Sequence, residues 1–167
     1  QVCINAPNPT PTTRPENPGT YSVDNGASIN PTTGVLDLNS TSPGQSYNIT
    51  FTTSGNCPGT FTEIINVLTI DDTDFTYPTS IWANDNNPSP LVLPPASGTY
   101  TVNNGASIDA NTGELDLSST SGGNSYTITF TSTGACPSTS NNIIDIVDAP
   151  NAGTAIASPT LCNVDNN

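Results

Sequence analysis

The amino-acid sequence predicts an all-β chain of tandem sandwich modules, and three observations carry that prediction. The first is a repeat. Residues 19–60 (GTYSVDNGASINPTTGVLDLNSTSPGQSYNITFTTSGNCPGT) recur as residues 98–139 (GTYTVNNGASIDANTGELDLSSTSGGNSYTITFTSTGACPST) without a gap, at an offset of 79 residues and with about two-thirds of the positions identical. A repeat this regular belongs to arrays in which each unit folds by itself and unit number sets length. The second observation is strict alternation of apolar and polar residues, the mark of a half-buried strand. The third is that Gly and Pro fall between the alternating runs as punctuation.

The elements follow in order. Tyr47, Ile49 and Phe51 share one strand face, and Tyr126, Ile128 and Phe130 do the same in the second copy, with threonines opposite. Asn25-Gly26 and Asn104-Gly105 signal type I′ hairpins, because both central residues of that turn need positive φ. Gly34 and Gly113 precede short strands at Leu36–Leu38 and Leu115–Leu117, and Pro43-Gly44 and Gly122-Gly123 turn the chain again. The closing strands are expected at Ile64–Ile70 and Ile143–Val147. Strands near Trp82 and Leu91–Leu93 bring the number to about seven per unit, the inventory of an immunoglobulin-like β-sandwich. The expected domains are 1–70 (a first repeat without a counterpart of Phe75–Ser80), 71–149 (the second repeat) and 150–167 (the start of a third, different module).

Composition excludes several functions. Fourteen acidic residues face a single base, Arg14, for a formal charge of -13. Such a surface repels nucleic acid and anionic membranes. The chain has no His and no Lys, which removes the commonest general base and Schiff-base chemistry. No run approaches about 18 consecutive apolar residues, so direct membrane insertion is not expected. With neither an initiator Met nor an apolar leader, the chain reads as part of a longer protein whose anchor and export signals lie elsewhere.

Four cysteines on a Ser/Thr/Asn-rich chain suggest an oxidising, extracellular setting. Cys57 and Cys136 are one position in two copies, while Cys3 corresponds to Trp82, and Cys162 falls one residue past the next occurrence of that slot. The simplest pairing is Cys3 with Cys57 inside the first repeat, leaving Cys136 opposite Trp82. A Cys136–Cys162 bond is the rival. Either loop would stabilise by roughly 4 kcal/mol in the chain-entropy picture.

The ordered motifs Gly-Thr-Tyr, Ala-Ser-Ile-Asn/Asp, Thr-Gly-x-Leu-Asp-Leu, Pro-Gly-x-Ser-Tyr and Gly-x-Cys-Pro resemble the repeat modules of giant Bacteroidota cell-surface adhesins, the gliding-motility type exported by type IX secretion. The tail from Pro150 to Cys162 resembles the start of a neighbouring module type. The resemblance implies a cell-surface location and a stalk or adhesive role, with neighbouring repeats, surface polysaccharide or other cells as partners and no catalytic residues. It departs at Trp82, where the family has an early cysteine.

Asp71, Asp72 and Asp74 cluster at the first junction and Asp145 and Asp148 near the second, the residue types for a Ca²⁺ site at an interdomain joint. Ca²⁺ needs roughly six to eight oxygens converging on one point, which clustering in sequence does not supply. Solvated acidic joints, stiffened by apolar packing around Ile70, Phe75 and Tyr77, are therefore favoured. Asp37 and Asp116 occupy the same repeated position and are expected on a wet sheet face rather than as a catalytic pair. The function expected is that of a structural, adhesive repeat region of a secreted surface filament, not an enzyme. The rival is an extracellular carbohydrate-binding module, for which Tyr77 and Trp82 are the candidate ligand contacts.

Overall fold

A computed structural model describes residues 1–13 and 15–150. The expected third module and Cys162 fall outside these residues. Six strands form in each repeat. In the first they are β1 (Val2–Cys3), β2 (Gly19–Val23), β3 (Ser28–Ile29), β4 (Leu36–Asp37), β5 (Ser46–Thr53) and β6 (Thr60–Leu68). In the second they are β7 (Ser80–Trp82), β8 (Gly98–Val102), β9 (Ser107–Ile108), β10 (Leu115–Asp116), β11 (Asn124–Ser132) and β12 (Thr139–Val147). The sheets run β1-β6-β5-β2 and β3-β4, then β7-β12-β11-β8 and β9-β10, so each draws its strands from one repeat. The chain is thus all-β, as tandem sandwiches.

Register repeats with the sequence. Tyr47 lies opposite Ile65 and Tyr126 opposite Ile144, while Val2 lies opposite Val67 and Ile81 opposite Ile146. The edge strands β1 and β7 pair in parallel and all other pairs are antiparallel. In the second repeat, Tyr126, Ile128 and Phe130 of β11 and Ile144 and Ile146 of β12 are buried against Leu115 of the smaller sheet and Leu117 of the 3-10 turn that follows it. Leu36, Leu38, Tyr47 and Val67 do this in the first.

Polar anchors repeat as well. The Ser42 and Ser121 N–H groups donate to the Tyr47 and Tyr126 hydroxyls at 2.7 and 2.8 Å. Asp37 and Asp116 end β4 and β10 and are partly exposed there. Each stands at the N-terminus of a 3-10 turn and accepts the backbone N–H two residues on, at 3.1 and 2.9 Å.

Three details differ from expectation. Asn25-Gly26 and Asn104-Gly105 do adopt positive φ at both residues, and Ala27 N–H closes the turn on Asp24 at 3.2 Å. They do not close hairpins, because β2 pairs with β5 while β3 pairs with β4, so the turn carries the chain from one sheet to the other. The closing strands begin at Thr60 and Thr139, earlier than their apolar alternation, because Thr60, Thr62 and Glu63 stay in register with β5. The Leu91–Leu93 strand reduces to one bridge, Thr76 to Val92.

Gly113 shows how strictly the repeat motif is specified. Its φ is +73°, and a Cβ there would meet Pro90 at 2.9 Å and the Tyr100 ring at 3.1 Å. Replacing it with alanine adds left-handed strain to a clash in a packed core. Gly113→Ala should lower stability by about 2 kcal/mol or more, measured by chemical denaturation against Gly105→Ala, which has the same sign of φ but open space around it.

Candidate functional site at the junction of the repeats

The junction is built by the exit end of one repeat and the entry loop of the next. Parallel pairing with β6 places Cys3 beside Leu68, the last residue of that strand. Cys136 lies in the turn between β11 and β12 and is almost fully buried. The two are joined as a disulfide with Cα atoms 5.5 Å apart, across 133 residues of sequence.

This corrects the expected Cys3–Cys57 pairing, and the reason is geometric. Cys57 sits beyond the opposite end of β6, before Thr60. The nine residues of that strand separate its ends by about 26 Å at roughly 3.3 Å per residue. A disulfide needs Cα atoms within about 7 Å. Cys57 is exposed with a free thiol. The rival Cys136–Cys162 bond is displaced too, since Cys136 is already bonded to Cys3, and Trp82 lies opposite Val147 rather than beside Cys136.

Asp71 locks the same joint. Its N–H donates to the Cys136 carbonyl at 2.9 Å, and its Oδ2 accepts the Gly134 N–H at 2.9 Å. A Cβ at Gly134 would meet that carboxylate, so a side chain there would have to displace Asp71 from its hydrogen bond. Asp72 Oδ1 accepts the Asp74 N–H at 3.1 Å, and its carbonyl accepts Ala96 N–H at 3.1 Å. The acids therefore cap backbone groups. Among the described residues no three His, Cys, Asp or Glu side chains, those of Asp71, Asp72 and Asp74 included, are grouped as a metal site would need.

Phe75 and Tyr77 are not joint residues. Both enter the core of the second repeat, with Phe75 packed edge-on to Tyr100 at 5.5 Å and tilted against Phe130 at 6.3 Å. Ile70 remains 40% exposed, so the joint is held by a covalent bond and the Asp71 hydrogen bonds rather than by apolar packing. As a ligand contact Tyr77 is withdrawn from solvent, while Trp82 stands 45% exposed on edge strand β7. Burial, helped by neighbouring Tyr100 and the Glu114 carboxylate, pushes the Tyr77 hydroxyl far above its ordinary range. Burial alone raises that of Tyr100.

No family of known sequences matches this chain, and no curated protein matches it. Among solved structures, Drosophila N-cadherin EC1-4 aligns at a TM-score of 0.37 and 11% identity, covering 89% of this chain and 47% of that one. Protocadherin Gamma B2 extracellular cadherin domains 3-6 align at 0.38 and 12%, covering 90% and 49%. Human mucin-like protocadherin EC1-2 aligns at 0.31 and 13%, covering 89% and 94%. The chain spans about half the length of the first two. Likenesses this low carry no argument about function, and the fold class rests on the sheets described above.

Two outcomes are expected. Non-reducing peptide mapping with a protease specific for acidic or aromatic residues should recover Cys3 linked to Cys136 and an alkylatable Cys57. Stability should also fall at high pH. A phenol whose pKa is raised by folding contributes stability that is complete below its unfolded value of about 10 and is lost as pH climbs beyond it. Tyr77→Phe should flatten that loss in thermal melts between neutral and strongly alkaline pH. At neutral pH it should change stability little, because the Tyr77 hydroxyl is buried without a hydrogen-bond partner among the described residues.

Proposed function

We propose that this chain is a load-bearing stretch of the repeat region of a long secreted surface adhesin, of the gliding-motility, type IX exported class that its motifs resemble. It acts as a stalk that holds a binding region away from the cell, its partners are neighbouring repeats of the same chain, and it has no catalytic role. The observation that carries this reading is the disulfide across the joint.

Tension applied at the two ends enters through Gln1–Cys3, crosses the disulfide to Cys136 and leaves through β12. Residues 4–135, which include all of the first repeat's larger sheet beyond β1, lie in a covalent loop that the load bypasses. Stiffness then rests on a bond rather than on marginally stable folding of about 5–15 kcal/mol per domain. In the chain-entropy picture, closing a loop of 133 residues adds roughly 5 kcal/mol on top of this. An oxidising extracellular setting is what such a bond requires, and the charge of -13 keeps neighbouring filaments apart.

Single-molecule stretching between the termini tests this directly. The oxidised chain should extend little on full unfolding, and reductant or Cys136→Ser should add roughly 450 Å of contour length, about 3.4 Å for each of the 133 residues released. Equal extension in both redox states would remove the mechanical reading. The carbohydrate-binding alternative has one observation in its favour, the exposed Trp82. Glycan binding that is lost in Trp82→Ala would favour that alternative.

A further inference from the structure

Two turns of this chain carry a reactive pair of residues. Asn25-Gly26 and Asn104-Gly105 are the places in the sequence where an asparagine precedes a glycine. They fall at matched positions, on the turn that carries each repeat from its larger sheet to its smaller one. All four residues are exposed and have positive φ. The order of the two residues matters because the backbone nitrogen after an asparagine can attack the side-chain amide. A Cβ on the second residue hinders that approach, and glycine has none.

The fold leaves the path of this reaction clear. A Cβ built on Gly26 or Gly105 meets nothing within 4 Å, whereas Gly34 and Gly113 are crowded by a proline and a tyrosine ring. Neither Gly26 nor Gly105 donates its N–H to an acceptor among the described residues, so the attacking nitrogen is not held. Each turn is closed by one long bond, Ala27 N–H to Asp24 O at 3.2 Å and Ala106 N–H to Asn103 O at 3.3 Å. Asparagines inside strands differ. Asn48 and Asn142 precede isoleucines, and their amides are held by the Asp24 carboxylate and the Phe75 carbonyl.

The two turns are not equivalent. Asn25 follows Asp24, a carboxylate that accepts hydrogen bonds from the backbone and side chain of Asn48. Asn104 follows Asn103, which accepts the matched bond from Thr127 N–H at 2.8 Å but carries no charge. A carboxylate disfavours a second negative charge beside it, and so opposes removal of the proton from the nearby glycine nitrogen.

We propose that Asn104-Gly105 and Asn25-Gly26 are self-modifying sites, at which water converts asparagine to aspartate and isoaspartate, Asn104 first. The Gly105 nitrogen gives its proton to hydroxide and bonds to Asn104 Cγ, and Nδ2 leaves as ammonia. Water then opens the cyclic imide. Breaking the bond from nitrogen to Cγ gives aspartate. Breaking the bond from nitrogen to the main-chain carbonyl carbon gives isoaspartate, with the backbone rerouted through Cβ. The net change is amide plus water to carboxylate plus ammonium. Either product unties the turn, because Asn104 Nδ2 donates to Ser125 O at 3.3 Å and Asn25 Nδ2 to Ser46 O at 3.1 Å. A carboxylate in that place offers no donor and repels the carbonyl. This chemistry belongs to the turns and does not depend on the load-bearing role.

The test incubates the full chain for weeks in mildly alkaline buffer and maps isoaspartate by fragmentation mass spectrometry. Conversion is expected at Asn104 and then Asn25, at rates that rise with hydroxide concentration. Asn104 should lead by about twofold or more, the scale of a weak like-charge repulsion. Asp24→Asn, which copies Asn103, should bring Asn25 up to the rate of Asn104 without touching a glycine. Gly105→Ala should nearly abolish conversion at Asn104 and leave Asn25 unchanged. Converted chains should lose hydrogen-exchange protection at the Ala27 and Ala106 N–H groups. The proposal is overturned if both asparagines stay intact, if other asparagines of the chain convert sooner, if Asn25 leads, or if conversion leaves exchange at the two turns unchanged.

Discussion

The parallel pairing of a short edge strand, of two residues in the first repeat and three in the second, on the last strand of each repeat organises everything else. Val2 opposite Val67 and Cys3 opposite Leu68 bring the entry of a repeat to the same end as its exit. A cysteine held there cannot reach the other end of its own sandwich. It can reach the β11–β12 turn of the next sandwich, which a short connection through Ile70 and Asp71 carries to it. The disulfide, the Asp71 hydrogen bonds and the bypass of tension all descend from that placement.

The connection is itself part of a core. Asp71 belongs to the joint, Asp72 caps the turn that follows, and Phe75 and Tyr77, four and six residues further on, are buried among Tyr100, Phe130 and Ile144. Disturbing the joint therefore disturbs the packing of the second repeat, and the reverse. This coupling differs from that of a flexible linker, in which the ordering of one domain leaves its neighbour untouched.

The acidity of the chain has a local structural use. Asp24, Asp37, Asp71, Asp72, Asp85, Asp109 and Asp116 each accept at least one backbone N–H. In a fold made of short strands and many turns, unpaired N–H groups are numerous, and a carboxylate satisfies them better than a neutral acceptor. For Asp24, bonds from the side chain and backbone of Asn48 hold the carboxyl below its usual range, and for Asp109 the backbone N–H groups of Thr112 and Asn111 do the same.

The fold was legible because it is local. Alternation at Tyr126, Ile128 and Phe130 sets which face is buried whatever lies beyond, and Asn-Gly fixes positive φ from its own chemistry. An offset of 79 residues writes one architecture twice. The sheet to which each turn delivers the chain was not legible, nor was the pairing of the cysteines. Both depend on which strands lie side by side, and a repeat offset matches equivalent positions without saying whether they sit at the same end of a module. Tyr77 shows the same divide. Its place in the sequence reads as joint packing or an exposed ligand contact, yet the core around Tyr100 and Phe75 takes it in. Sequence alone determined the strands, the turns and the repeat, because these follow from neighbouring residues. Tertiary structure alone decided the cross-link, the capping role of Asp71 and the docking of Phe75 beside β12, because each arises from contacts between residues some sixty or more positions apart.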